Sequence, residues 1–361
     1  MEKVLLITLW GNSNFGNRLQ LIAMKRIIEQ FGIVVECVPN DVTKNENRLK
    51  NNIKFVLGKY GMDKYKLIYL RKAREKALKK SSSKYIIPQT KCVHNFIIPS
   101  ELNERDYIAA VVGSDQVWHR WTEYENELDF YYLSFIPKSK RISYAASFGF
   151  ESFPENDKEK HLKYLNEMRA ISCRERTGCK LIRDHLEKSA EWVLDPTLCV
   201  KLNFWTTIEE KPKFKIPDKY AVVMMLGNKS MYNSNIEKFL NLKKLSVIDI
   251  NDYDNKDIWN ITIGNFIWLI HHAQFIFTDS FHCTVFSILF ERQFIVFRRD
   301  EREFEHMFDR IATLLDYLDL NHCVYEKNCI IEHAIDYATV KRKIDAMSKY
   351  SVNWLRNALN I

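Results

Sequence analysis

The sequence of 361 residues has little of what marks several classes of protein. Ten Gly and eight Pro are too few for a collagen-like or linker-rich chain, and 46% hydrophobic residues suit a packed core. No apolar run approaches the ~20 residues that cross a bilayer. The apolar stretch at 4–9 is too short for a secretory signal and has no small-residue cleavage site. It reads as a first β-strand, and a cytoplasmic location is expected. The eight Cys contain no C-x-x-C pair, no H-E-x-x-H occurs, and His271 and His272 are adjacent rather than one helical turn apart. Buried free thiols are expected, with no metal site.

Charge is unevenly placed. The chain carries a formal +8, yet residues 48–91 hold 14 basic and 2 acidic side chains, leaving the remainder slightly acidic. This segment has no nucleic-acid motif, so no nucleic-acid partner is expected. Its centre, 62–80, has helical period: Met62, Tyr65, Tyr69, Ala73 and Ala77 share one face, while Lys66, Arg71, Arg74 and Lys80 point elsewhere. The basic side is either a solvated helix face or is drawn to an anionic membrane surface, at its inner face, or to an anionic lipid-linked substrate.

Elsewhere short β-branched runs alternate with helical patterns. Strands are expected at 4–9, 33–38, 107–112, 141–146, 170–173 and 191–194, with a helix at 17–31 that ends before Gly32. After a connector near 200–215, strands follow at 220–226, 245–250, 275–278 and 294–297, with helices at 267–272 and 281–290. Near-continuous apolar strands between helices imply parallel sheets covered on both faces. The fold class is therefore α/β, with two doubly wound Rossmann-like domains. They span 1–200, with the basic insertion 48–91, and 201–335. A helix in 336–361 is expected to pack across both. Ligands of such folds bind where the carboxyl ends of the strands face a cleft.

Six loops have polar chemistry at those ends. Asn14, Gly16, Asn17 and Arg18 sit between the first strand and helix, as ordinary turn formers or as a cradle for an anion or sugar hydroxyl. Ser114, Asp115 and Gln116 follow the strand at 109–112, where Asp115 either caps a helix or accepts a sugar proton. Ser147 lies in a loop of small side chains. Arg174 ends a strand, either in a surface pair with Glu175 or as a holder of carboxylate or phosphate. Asp195-Pro196 reads as a rigid turn. Thr278-Asp279-Ser280-Phe281-His282 opens an apolar helix, and His282 in its first turn lies where a bound anion is favoured.

Taken in order, NFGNRLQ, GSDQVW, SYAASFG, CRER, VLDPTL and FIFTDSFHCTVFSILF resemble the polysaccharide pyruvyl transferase family, over about 300 residues that end near Arg310-Ile311. The resemblance implies a glycosyltransferase-B-like arrangement of the two domains, without a metal. It implies phosphoenolpyruvate as donor co-substrate, no resident cofactor, and a ketal-linked pyruvate on a sugar of a capsule, exopolysaccharide or lipid-linked precursor. His282 matches the family's catalytic His and Arg174 an Arg that contacts phosphoenolpyruvate. Some members have an Arg two residues before that His, where this chain has Ser280.

Expected roles are His282 as general acid and Asp115 as base or sugar binder. Arg174, Ser280 and Arg310 are expected on the donor, and Asn14, Gly16, Asn17, Arg18, Ser114, Gln116 and Ser147 on the acceptor. Two alternatives stay open. A glycosyltransferase using a nucleotide-sugar would hold ribose with Asp249 or Asp279, and a non-catalytic glycan-binding subunit would bind without turnover.

Overall fold

A computed structural model describes residues 2–11, 13–42, 63–228, 233–299, 308–326 and 334–361. The first half contributes β1 (Lys3–Ile7), β2 (Val34–Cys37), β3 (Asn40–Asp41), β4 (Val93–His94), β5 (Ala109–Val112), β6 (Arg141–Ala146), β7 (Ala170–Cys173) and β8 (Glu191–Trp192). The second contributes β9 (Tyr220–Met224), β10 (Ser246–Asp249), β11 (Phe275–Thr278) and β12 (Gln293–Val296). They form a six-stranded sheet in the order β2-β1-β5-β6-β7-β8, a four-stranded sheet in the order β10-β9-β11-β12, and the small pair β3-β4. Every described ladder is parallel. β5, β6, β9 and β11 are buried along their whole length, as strands covered by helices on both faces must be. The fold is thus α/β with two Rossmann-like halves, each built on a parallel sheet.

Helices of the first half are α1 (Phe15–Glu29), α2 (Asp63–Ser82), α3 (Asn126–Tyr131), α4 (Lys158–Glu167), α5 (Arg176–His185), α6 (Pro196–Cys199) and α7 (Leu202–Ile208). They are followed by α8 (Asn233–Lys243), α9 (Lys256–Trp259), α10 (Ile263–His272), α11 (Phe281–Leu289), α12 (Asp309–Tyr317) and α13 (Tyr337–Leu359). α10 starts earlier than the apolar pattern predicts. Thr262 and Asn265 close a capping box, the Asn265 N–H donating to Thr262 Oγ1 at 3.0 Å and the Thr262 N–H to Asn265 Oδ1 at 3.0 Å. The strand expected at 191–194 shortens to β8.

One apolar core runs through both halves, from β1 and α1 to α10 and α11. α1 sits between them and is buried nearly all round, including Asn17, Arg18, Gln20 and Lys25. Phe15 at its start stacks on Phe266 of α10 with centroids 4.7 Å apart, a contact worth ~0.5–1.5 kcal/mol beyond its buried area.

The basic helix departs from expectation. The buried residues of α2 are Leu70, Arg74, Leu78 and Ser82, so the inward stripe runs one position round from the face that apolar spacing suggests. Arg74 is not solvated. It donates to the carbonyls of Trp259 (2.9 Å) and Ile250 (2.5 Å) and to Asn251 Oδ1 (3.0 Å), and its guanidinium lies 3.6 Å from the Trp259 ring centroid. Trp259 Nε1 returns a bond to the Leu70 carbonyl at 2.7 Å. A helix inserted in the first half thus docks on the second. The rest of the basic segment, 48–62, lies outside the described residues. No helix among the described residues is long and apolar enough to cross a membrane. Every described Cys is a free thiol, five of the seven buried.

Candidate active site

The segments after β1, β5, β6, β7, β8 and β11 converge where the carboxyl ends of the two sheets meet. Asp115 is at the centre. Its backbone φ of 80° is in the left-handed region that non-glycine residues avoid, a cost of ~1–3 kcal/mol sustained where surroundings fix the conformation. They do so here on both sides. The Ser147 N–H donates to the Asp115 carbonyl at 2.9 Å. The carboxylate accepts from Asn17 Nδ2 (2.5 Å), its neighbour's Gln116 N–H (2.9 Å) and Arg174 (3.1 Å). Arg310 stands 3.8 Å away.

Arg174 bridges Asp115 to a second carboxylate, Asp195, at 2.9 Å. Asp195 does more than make a turn. One oxygen caps α6, accepting the Thr197 N–H (3.0 Å) and hydroxyl (2.6 Å). The other accepts the Ser114 hydroxyl (2.8 Å) and Arg174, and lies 3.7 Å from His282 Nε2. The ring of His282 is set by glycine: a Cβ on Gly16 would stand 2.1 Å from His282 Nδ1. The start of α1 therefore packs directly against the imidazole. Arg174 also lies 4.5 Å from the Phe281 ring centroid.

Burial pushes the carboxyls of Asp115 and Asp195 up, but nearby cations outweigh it. His282 and Arg174 hold Asp195 well below the usual range, and Arg174, His282 and Arg310 hold Asp115 below it. Burial would lower Arg174, yet Asp115, Asp195 and Glu175 keep it above its ordinary value. Arg310 has weaker compensation. Burial, then the like charge of Arg174, push it down to about 9. Burial also raises Glu175, whose carboxylate accepts the Phe148 N–H at 2.9 Å.

Several buried polar atoms here make no hydrogen bond within the protein: His282 Nε2, whose nearest charge is Asp195, Arg174 Nε, Gln116 Nε2, Ser147 Oγ and Glu175 Oε2. Native interiors hold only a few such atoms per hundred residues. Five around one centre, four able to donate, suit an anionic, hydroxyl-bearing ligand.

The expected residues are thus largely brought together. Asn17, Ser114, Asp115, Gln116, Ser147, Arg174, His282 and Arg310 surround this centre, and Ser280 stands at the N-cap position of α11 without a side-chain capping bond. Asn14 instead caps α1, accepting the Gly16 N–H at 2.8 Å. Arg18 turns toward Trp10, 4.7 Å from its ring centroid, with Glu75 of α2 as its charged neighbour and burial pushing it down to about 10. Arg174 and Glu175 are both buried, so the surface-pair alternative does not hold. Asp195 and Glu175 lacked a sequence signal as site residues, and so did Arg299. The Arg299 Nε donates to Asp279 Oδ2 at 3.2 Å, next to Ser280, and its charge is felt by Arg310. Asp279 also accepts the N–H groups of Leu226 (2.7 Å) and Gly227 (2.8 Å), which commits it to its own half. Among the described residues, Glu209, His271 and His272 form a group of metal-ligating types, none of them in this centre.

Buried arginines, carboxylates and one histidine thus gather at the carboxyl ends of two parallel sheets, the place where α/β folds bind ligands. The family model of polysaccharide pyruvyl transferase matches residues 14–301, and the chain belongs to that family. No curated protein sequence matches it significantly. Similar solved structures include a UDP-GlcNAc 2-epimerase from Methanocaldococcus jannaschii (11% identity, 96% of this chain and 92% of that one, TM-score 0.48). Others are the E. coli ADP-heptose LPS heptosyltransferase II (10%, 97% and 99%, 0.39) and the Streptomyces nogalater glycosyltransferase SnogD (10%, 99% and 99%, 0.38).

Proposed function

We propose that the protein transfers pyruvate from phosphoenolpyruvate onto a sugar of a cell-surface polysaccharide or its lipid-linked precursor, forming a ketal and releasing phosphate. The observation that carries this reading is the set of buried donors on His282, Arg174, Gln116 and Ser147 that make no hydrogen bond within the protein. The donor brings a carboxylate and a phosphate, and Arg174, Arg310 and the start of α11 are arranged to receive them. Arg299 supplies the cation beside position 280 that Ser280 does not.

In this reading His282 Nε2 gives a proton to the methylene carbon, leaving the central carbon electrophilic. A sugar hydroxyl attacks that carbon, and its proton returns to the His282 imidazole. The carbon–oxygen bond to phosphate then breaks, and a neighbouring hydroxyl of the same sugar closes the ketal, its proton passing to the departing phosphate. Asp195, 3.7 Å from Nε2, stabilises the protonated imidazole before transfer. Asp115 is held low by its cations, so it is a weak proton acceptor and serves mainly to orient the attacking hydroxyl. No resident cofactor is required.

The exposed row Arg71, Lys72, Lys76, Lys79 and Lys80 on α2 supports a peripheral seat at an anionic membrane, on the inner face where lipid-linked acceptors are assembled.

Phosphorus NMR of the protein with phosphoenolpyruvate and candidate glycans tests the reaction. Acceptor-dependent release of inorganic phosphate is expected, and His282→Gln should abolish it while leaving the fold intact. Nucleotide release from a sugar nucleotide would replace this reading with glycosyl transfer. Glycan binding without turnover, or normal turnover in the variant, would remove it.

A further inference from the structure

A second concavity lies at the junction of α2, the connector after α7, and the segment leading into α10. It encloses about 690 Å³. Lys80 and Lys84 line it from α2 and the turn beyond, Lys213 from the connector, and Lys256 from the start of α9. Among the described residues none of these four ammonium groups forms an ion pair. Like charges drawn from three separate segments to one hollow repel each other, whereas lysines along a convex helix stay in water at little cost. The opposing carboxylates are fewer, Glu210 and Asp257, and Glu210 also takes the Thr262 hydroxyl at 3.5 Å.

The rest of the lining is suited to a sugar. Asn260 Oδ1 is buried without a partner and can accept a hydroxyl proton. Tyr85 and Phe214 present partly exposed rings on which a pyranose face can stack. The hollow communicates with the catalytic centre through one element. α10 opens at its wall, and one turn later Phe266 stacks on Phe15, beside the Gly16 that packs against His282.

We propose that this hollow binds a sugar phosphate or sugar diphosphate, as a subsite for the charged end of the acceptor. The role as acceptor subsite rests on the glycan-modifying reading; the binding itself does not. Lysines supply point charges to the phosphate oxygens, while Asn260 and the two rings take the sugar.

The test is backbone hydrogen exchange by mass spectrometry on the full chain, with inorganic pyrophosphate, glucose 1-phosphate and glucose as separate probes. Both anions are expected to slow exchange across 77–85 and 256–265, and glucose is not. The exposed pair Lys80→Glu/Lys213→Glu should weaken that protection at least tenfold, while any protection at 280–284 is kept. Unchanged exchange in these segments, or equal protection in the charge-reversed protein, overturns the proposal. Repeating the measurement in His282→Gln separates it from the catalytic reading, because the hollow should bind equally well in a protein that cannot turn over. A prenyl diphosphate-sugar in detergent micelles, compared with its free headgroup, then identifies the source: tighter binding marks a lipid-linked acceptor, equal binding a soluble one.

Discussion

Replacing Asp195 with Asn tests the buried network at its least visible member. The amide keeps one oxygen for the Thr197 cap but presents an NH₂ where Arg174 and Ser114 now donate at 2.9 and 2.8 Å. Arg174 keeps Asp115 alone as a close partner, with its side chain 1% exposed. Removing one member of a buried ion pair costs ~3–5 kcal/mol, because the remaining charge stays desolvated. Urea unfolding at unchanged m-value should show a stability loss of that size. By contrast, Thr197→Val removes only the hydroxyl that donates to the capping oxygen of Asp195 and should cost ~1 kcal/mol with activity retained. The pH dependence follows from the sign of the shift. Asp195 is depressed in the folded state, so its contribution is complete above the unfolded value of ~3.9 and is lost as pH falls below it. The gap between wild type and Asp195→Asn should therefore be constant from about pH 5 to 8 and narrow only in stronger acid. Turnover should fall at least a hundredfold, since His282 loses the carboxylate nearest its Nε2. A loss under ~1 kcal/mol with near-normal turnover would reduce Asp195 to a helix cap and refute the network.

Three further outcomes are expected. Gly16→Ala places a methyl 2.1 Å from His282 Nδ1, so the ring must move; a loss of ~1–3 kcal/mol and at least tenfold in kcat should appear together in unfolding and phosphate-release assays. Arg74→Ala strips the partners from the Ile250 and Trp259 carbonyls and should cost on the order of 3 kcal/mol, whereas Lys66→Ala, which breaks an exposed pair with Asp254, should cost under ~1 kcal/mol in the same melts. Liposome co-sedimentation should depend on anionic lipid and weaken with salt, each basic residue near the surface being worth ~1 kcal/mol, and should be lost in a variant reversed at Lys72, Lys76, Lys79 and Lys80. Equal sedimentation of that variant would leave α2 a solvated helix.

The architecture was legible because parallel strands buried on both faces are written as unbroken apolar runs, such as Ala109–Val112 and Phe275–Thr278. The loops after them were legible because polar residues interrupt those runs at one end only. Asp195 escaped because an Asp before Pro looks like a turn, and nothing local says that its second oxygen meets Arg174 and faces His282. Arg299 escaped for a similar reason: its proximity to position 280 comes from two neighbouring strands, β11 and β12, pairing in register. Arg74 was misplaced because a helical wheel assigns charges to water, and only the second half of the chain, nearly two hundred residues on, turns that side into an interior.

The two halves are also tied along a second route. α13 starts against the second half, where the Tyr337 hydroxyl donates to the Arg292 carbonyl and Lys343 pairs with Asp319 at 2.6 Å. It ends against the first, where the Ser351 hydroxyl accepts the Leu194 N–H at 3.0 Å and Arg169 reaches the Ala358 carbonyl. With α2 strapped across by Arg74, the molecule resembles a book bound on two edges. Opening the halves like a hinged shell would first require one of these straps to unfasten.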